Sequence, residues 1–280
     1  MVEDRFQQQR FELKYIIKED VARSVRDFVS SYLEIDEYGA TQPNFSYPVH
    51  SLYLDSDVLT LYQSTINGDK NRYKLRLRFY DNRPEAPVYF EIKRRMNNTI
   101  SKQRGGVRRD GVGWLIAGHA PDPAHLVSKD PRQIMAIQRF CELMNDVHAK
   151  PKAHIAYFRE AWISRNDNSI RVTLDREVKC EPDLTTRLTT RMENPTIVFG
   201  DEVVLELKFT NRFPDWFTHL VRVFGLMQCG AAKYVDGVTL IGQDRVNRTF
   251  VLGEQATPSS GFKHSTKAGD PVGVAGKTHP

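Results

Sequence analysis

A chain of 280 residues with 40% hydrophobic and 27% charged residues can bury a core, which excludes a wholly disordered or fibrous protein. A formal charge of +5 and a pI near 9.0 favour an anionic partner. Three widely spaced cysteines, Cys141, Cys180 and Cys229, suggest neither a disulfide framework nor a zinc site.

The opening MVEDRFQQQR has no apolar heart, so no secretion signal is expected, and no stretch approaches the ~20 apolar residues of a membrane-crossing helix. A cytoplasmic setting follows. RFELKYII reads as a first strand, and Val21, Val25, Phe28, Val29 and Tyr32 recur at helical spacing over Lys18 to Leu33. Pro48 to Asp55, Arg72 to Tyr80 and Pro87 to Arg94 read as three strands, with Asn67-Gly68 and Asn82-Arg83-Pro84 as turn signals. The basic, glycine-containing stretch Asn97 to Asp110 is expected to be a mobile flap or an edge strand. Pro131 to Val147 forms a long helix, with Ile134, Ile137, Cys141 and Met144 on one stripe. Strands follow at about Ala153 to Ser164, Ser169 to Arg176 and Val203 to Phe209. Pro214 opens a third helix carrying Phe217, Leu220, Val221, Phe224 and Met227, with Gly230 as its stop signal. The domain is expected to span residues 1–252, followed by a disordered tail at 253–280, where apolar residues nearly vanish.

Six of these strands repeat charge on one face. Glu12 and Lys14 alternate with Phe11 and Leu13, Glu91 and Lys93 with Phe90 and Ile92, and Glu206 and Lys208 with Leu205 and Leu207. Arg72, Lys74, Arg76 and Arg78 do the same with cations alone, and Arg159, Arg171 and Asp175 add to the set. One explanation is a half-buried antiparallel sheet with a solvated charged face. The other is an α+β fold in which about eight strands close into an antiparallel barrel tunnel, charges inside, with amphipathic helices packed on the apolar exterior. Close like charges such as Arg76 and Arg78 repel unless an anion sits between them, so a basic interior predicts a polyanion ligand.

In order, FELKY, SLYLD, KLRLR, FEIKRR, AYFREAW, IRVTLD, LELKF and AKYVDG resemble the VTC domain of polyphosphate polymerases, within the triphosphate tunnel (CYTH-like) superfamily, from about Phe11 to Gly242. The resemblance implies a tunnel whose inward cations hold a nucleoside triphosphate and the growing phosphate chain. By matched position it implies catalytic roles for Lys14, Arg76, Arg78, Lys93, Arg159, Arg171 and Lys233. It implies phosphate contacts for Lys102 or its neighbour Arg104, with Lys74 and Lys208 on the same charged faces, and a metal-holding role for Glu206. The implied activity is ATP-polyphosphate phosphotransfer with Mn²⁺ or Mg²⁺ as cofactor and ATP and inorganic polyphosphate as partners. Two positions depart from the family pattern: Ala232 stands where a serine usually precedes Lys233, and Arg10 stands where related hydrolases carry their first glutamate.

No G-x-x-x-x-G-K-[ST], H-R-D, H-E-x-x-H or G-x-S-x-G is present, which removes the common NTPase and hydrolase classes. A tunnel triphosphatase or polyphosphatase and a non-catalytic polyphosphate-binding module remain as alternatives. Nucleic acid is not an expected partner, because the basic stretches lack interleaved aromatic platforms and strand-borne glutamates repel a phosphodiester backbone. No membrane segment is expected, which leaves room for a separate membrane partner.

Overall fold

The structure, a computed structural model, describes residues 10–97, 99–165 and 169–247. The expected tail at 253–280 lies outside the described residues.

The chain opens with β1 (Arg10–Ile17), α1 (Glu19–Ser30), the two-residue β2 (Glu34–Ile35) and α2 (Glu37–Ala40). Next come β3 (Ser46–Asp55), α3 (Thr60–Ile66), β4 (Asn71–Phe79), β5 (Val88–Met96) and β6 (Thr99–Val107). Helices α4 (Val112–Ile116) and α5 (Pro131–Asp146) precede the two longest strands, β7 (Lys150–Ile163) and β8 (Ile170–Pro182). The short β9 (Thr196–Ile197), β10 (Val203–Thr210), α6 (Asp215–Val223) and α7 (Lys233–Ile241) complete the set.

All strand pairings are antiparallel, in the order β2-β7-β3-β4-β5-β6-β1-β10-β8-β9, and β7 also pairs with β8. The fold is therefore α+β around one large antiparallel sheet. The closed barrel of about eight strands expected from sequence is not confirmed: among the described residues a single pair, Arg10 with Ile100, joins β1 and β6. Beyond that pair β6 presents Lys102, Gln103 and Arg104, all exposed, and charged side chains on an unpaired edge keep their hydration.

Helices cover the apolar outer face. Val25 and Val29 of α1 and Phe217 and Leu220 of α6 pack on Leu205 and Leu207 of β10 and Val172 and Leu174 of β8. Ile137, Phe140 and Met144 of α5 pack on Leu75, Leu77, Phe90 and Ile92 of β4 and β5. Tyr234, Val235 and Val238 of α7 cover Ile155 of β7 and Cys180 of β8. Burying such side chains contributes about 1.5–3 kcal/mol each, so these three clusters supply much of the driving force for folding.

Of the two expectations for Asn97 to Asp110, the edge strand is what forms and the mobile flap is not. Strand β6 pairs with β5 from Val88↔Val107 to Met96↔Thr99, and α5 lies directly against it. Gly105 permits that approach, because a Cβ there would stand 2.4 Å from Ile137 Cγ1 and 2.6 Å from the Gln133 carbonyl oxygen. Helix α5 starts where Asp130 accepts a hydrogen bond from the Arg132 N–H at 2.9 Å, with Pro131 in the first turn. The third predicted helix also ends early. It stops at Val223, Gly225 takes a left-handed φ of 57°, and Met227 is 84% exposed instead of facing the core.

Candidate active site

The charged strand faces surround a cavity of about 1550 Å³. Its lining includes each of the twelve predicted site residues: Lys14, Lys74, Arg76, Arg78, Lys93, Lys102, Arg104, Arg159, Arg171, Glu206, Lys208 and Lys233. The solvated-face explanation is therefore wrong for these strands. Alternation does the placing: once Leu75, Leu77 and Ile92 are buried under α5, the residues between them must face the other way.

Carboxylates organise the cations. On one wall, Glu91 accepts from Arg76 Nε at 2.8 Å and pairs with Lys102 Nζ at 2.6 Å, while Arg78 Nε and Arg104 Nε each stand at 3.6 Å. On the opposite wall, Glu206 meets Lys208 at 2.5 Å, Lys233 at 3.1 Å, Lys14 at 3.5 Å and Arg159 at 3.8 Å. Asp175 receives two hydrogen bonds of 2.7 Å from Arg159 and lies 2.7 Å from Lys233 Nζ. Glu12 receives Lys93 Nζ on both oxygens at 3.0 Å, and Asp36, just before α2, holds Arg171 at 2.9 Å.

Burial alone would push Glu206 up, but Lys208, Lys233, Lys14 and Arg159 outweigh it and hold the carboxyl well below the ordinary carboxylate range. Glu91 is likewise driven down against burial by Arg76, Arg78 and Lys102. Lys233 moves the other way: burial opposes its charge, yet Asp175 and Glu206 raise its pKa. Lys74 has no such partner. It makes no ion pair among the described residues, and burial followed by repulsion from Lys14, Lys93 and Arg72 lowers it to about 7.

Lys233 sits in the first turn of α7, where period-two reasoning has no purchase. Its seat is set by Tyr234, whose hydroxyl donates to Asp55 Oδ2 at 2.9 Å. Asp55 also accepts from the N–H groups of Ser56, Leu61 and Tyr62 at 2.8–2.9 Å, tying α7, α3 and the end of β3 together.

Sequence reasoning passed over Tyr157. Its phenol accepts a hydrogen bond from Arg78 Nη2 at 3.1 Å, and Arg159 and Lys233 both stand 5.1 Å from its ring centre. Burial raises its pKa, but Arg159 and Arg78 overcome that and bring it to about 8. Tyr157 lies two residues before Arg159, so the alternation that identified Arg159 identifies it too. His50 and His154 line no part of this cavity. Their Nδ1 and Nε2 meet at 3.0 Å on the apolar side of the sheet, and burial lowers both to about 4.

Among the described residues no three His, Cys, Asp or Glu side chains stand together as metal ligands. Glu12 and Glu206 nonetheless share one cation, Lys14 Nζ, at 3.4 and 3.5 Å. A hard divalent ion fits that pair of oxygen donors provided phosphate oxygens fill the rest of its shell.

The VTC domain family model matches residues 9–241. Vacuolar transporter chaperone complex subunit 2 of Schizosaccharomyces pombe is 26% identical over 133 residues, which is 45% of this chain and 18% of that protein. Among solved structures, PH1819 of Pyrococcus horikoshii OT3 aligns over 83% of this chain and 98% of its own, at 13% identity and a TM-score of 0.44. A Bacillus halodurans protein, bh2851, aligns over 80% and 94% at the same identity and TM-score.

Proposed function

The chain belongs to the VTC domain family, and on that premise we propose that it is a metal-dependent polyphosphate polymerase, moving the γ-phosphoryl group of ATP onto a growing inorganic polyphosphate chain. One observation carries the reading: twelve side chains from seven strands and one helix converge on a single basic cavity.

Phosphoryl transfer asks little covalent help of a protein and much positioning and charge neutralisation. Arg76, Arg78, Lys93, Lys102 and Arg104 would grip phosphates along one wall, and Lys14, Arg159, Arg171, Lys208 and Lys233 along the other. Apart from those of fully buried Glu91, the carboxylate contacts are the kind that a phosphate oxygen can replace, since both are anionic acceptors for the same donors. An oxygen of the chain's terminal phosphate attacks the γ-phosphorus, the bond from that phosphorus to the β-phosphate oxygen breaks, and ADP leaves with the electron pair. Arg78 and Tyr157, buried and hydrogen-bonded to each other, line the same cavity. Mn²⁺ or Mg²⁺ held by Glu206, with Glu12 beside it, would offset charge on the reacting phosphates when bound.

The relative named above is a complex subunit, and by that likeness we propose that this chain works in an assembly. Among the described residues no helix is long and apolar enough to cross a membrane.

The test is product analysis after incubating the purified protein with ATP and Mn²⁺. Chains that lengthen with time support the polymerase. Free phosphate without chains points to a tunnel triphosphatase, and tight polyphosphate binding without ATP consumption points to a binding module.

A further inference from the structure

The inward faces of β4, β5 and β6 form a lattice with an unusual charge balance. In cross-strand rows the residues run Arg72–Arg95–Ile100, Lys74–Lys93–Lys102, Arg76–Glu91–Arg104 and Arg78–Tyr89–Gly106. Glu91 is the single carboxylate among those twelve positions and is fully buried. Arg76 and Arg104 are its direct neighbours on either side, so it sits at the centre of the cations it serves.

Contacts around Glu91 constrain direction as well as charge. Nε and Nη2 of Arg76 both reach Glu91 Oε2, at 2.8 and 2.6 Å, while Nη1 donates to the Tyr53 hydroxyl at 3.1 Å. Arg78 turns Nη2 to Tyr157 at 3.1 Å, and its buried Nε, 3.6 Å from Glu91 Oε2, makes no hydrogen bond among the described residues. A guanidinium fixed at three nitrogens, as that of Arg76 is, loses little further freedom when it grips a phosphate. Lys93, the cation that Glu12 holds, is a third exposed and can pass to a ligand. Glu91, closed off from solvent, keeps its anion in place when phosphate arrives.

We propose that Glu91 is a positioning residue: a buried, fixed anion that holds Arg76, Arg78, Lys102 and Arg104 as one fan aimed at a single phosphoryl group. This rests on the polymerase reading for the reaction it serves. The charge of Glu91 opposes phosphate binding, so its value lies in orientation. Binding and turnover should therefore separate when it is altered.

The experiment compares Glu91→Gln and Glu91→Asp with the wild type in three measurements: tripolyphosphate affinity by calorimetry, kcat with ATP and Mn²⁺, and the arginine Nε–H signals of Arg76 and Arg78 by NMR. With Glu91→Gln, tripolyphosphate should bind as tightly or more tightly, kcat should fall by about 100-fold as expected for misplaced reacting groups, and the Arg76 signal should broaden or exchange rapidly. Glu91→Asp keeps the charge but withdraws it by one methylene, and should keep binding while losing turnover. Unchanged turnover in both variants, equal losses of binding and turnover in Glu91→Gln, or full turnover in Glu91→Asp would overturn the proposal. If the wild type makes no polyphosphate, the polymerase reading falls by itself. The positioning claim is then decided by the Arg76 signal, and an unaltered signal in Glu91→Gln refutes it.

Discussion

Lys74 offers a quantitative test of how this cavity binds polyanions. Burial first, then repulsion from Lys14, Lys93 and Arg72, brings its pKa to about 7, against an ordinary lysine value near 10.4. A polyphosphate threaded past Lys74 would favour its charged form, so binding must draw a proton from solvent whenever the free protein has lost it. Raising the pH from about 7 to about 9 increases the cost of that protonation by about 2.3 kcal/mol, and affinity should weaken roughly 50-fold. Lys208, at about 8, adds in the same direction. Lys102, at about 7, also does, but its side chain is 43% exposed and water screening cuts its share. Stability of the free protein should run the other way, rising with pH between about 7 and 10, because the unfolded chain binds the proton that folded Lys74 rejects. Long-chain polyphosphate is the right ligand, since its internal groups stay ionised throughout. Calorimetry in buffers of different ionisation heat would read both affinity and proton uptake. Lys74→Arg, whose charge does not titrate here, should flatten most of the slope while keeping tight binding at the high end. An equally steep slope in Lys74→Arg, or binding without proton uptake at about pH 8, would refute the reasoning.

Glu206→Gln should abolish metal-dependent turnover. It should also lower the melting temperature of the ligand-free protein, since stranding Lys208 and leaving Lys233 with Asp175 alone costs several kcal/mol, about 3–5 for a broken buried pair, and added polyphosphate should restore much of the loss. Gly105→Ala forces a methyl group to 2.4 Å from Ile137 Cγ1 and should destabilise by about 1–3 kcal/mol in urea unfolding, with kcat per folded molecule falling less than in any cavity variant. Tyr234→Phe removes the donor to Asp55 Oδ2 and should cost about 1–3 kcal/mol of stability while loosening Lys233, read as a raised KM for ATP.

Most of the cavity was legible because strands write their geometry plainly. Lys14, Arg76, Lys93 and Glu206 alternate with apolar residues that helices must cover, so their common direction follows from period two. Whether that direction was inward or outward did not follow. Six amphipathic strands are compatible with a flat, solvated sheet until pairing partners are known, and resemblance to a family supplied that choice. Nor did the surroundings of Glu91 follow, because they depend on register: only pairing with Arg76 on one side and Arg104 on the other puts it in the middle of four cations. For residues 97–110 the choice between flap and edge strand stayed open because Lys102, Arg104, Arg108 and Arg109 are polar, whereas Gly105 records the close passage of α5. The overrun of α6 to Met227 came from trusting a five-position stripe past Gly225, whose left-handed backbone ends the helix.

The carboxylates also answer how so basic a cavity folds before any phosphate is present. Around Glu206 and Asp175, a protein lacking those two anions would have to gather Lys14, Arg159, Lys208 and Lys233 against mutual repulsion in a partly dry space. With them, the ligand-free state is a set of satisfied ion pairs, and a polyanion enters by exchange of one acceptor for another. Exchange also bears on throughput. On the polymerase proposal, a chain that advances by one phosphate per cycle cannot be held by contacts that are costly to break, and the cations around Glu206 have a carboxylate within about 2.5–3.8 Å to return to. Lys74 stands outside this arrangement, with no carboxylate to return to, and for that reason its protonation should follow the presence of the chain most closely.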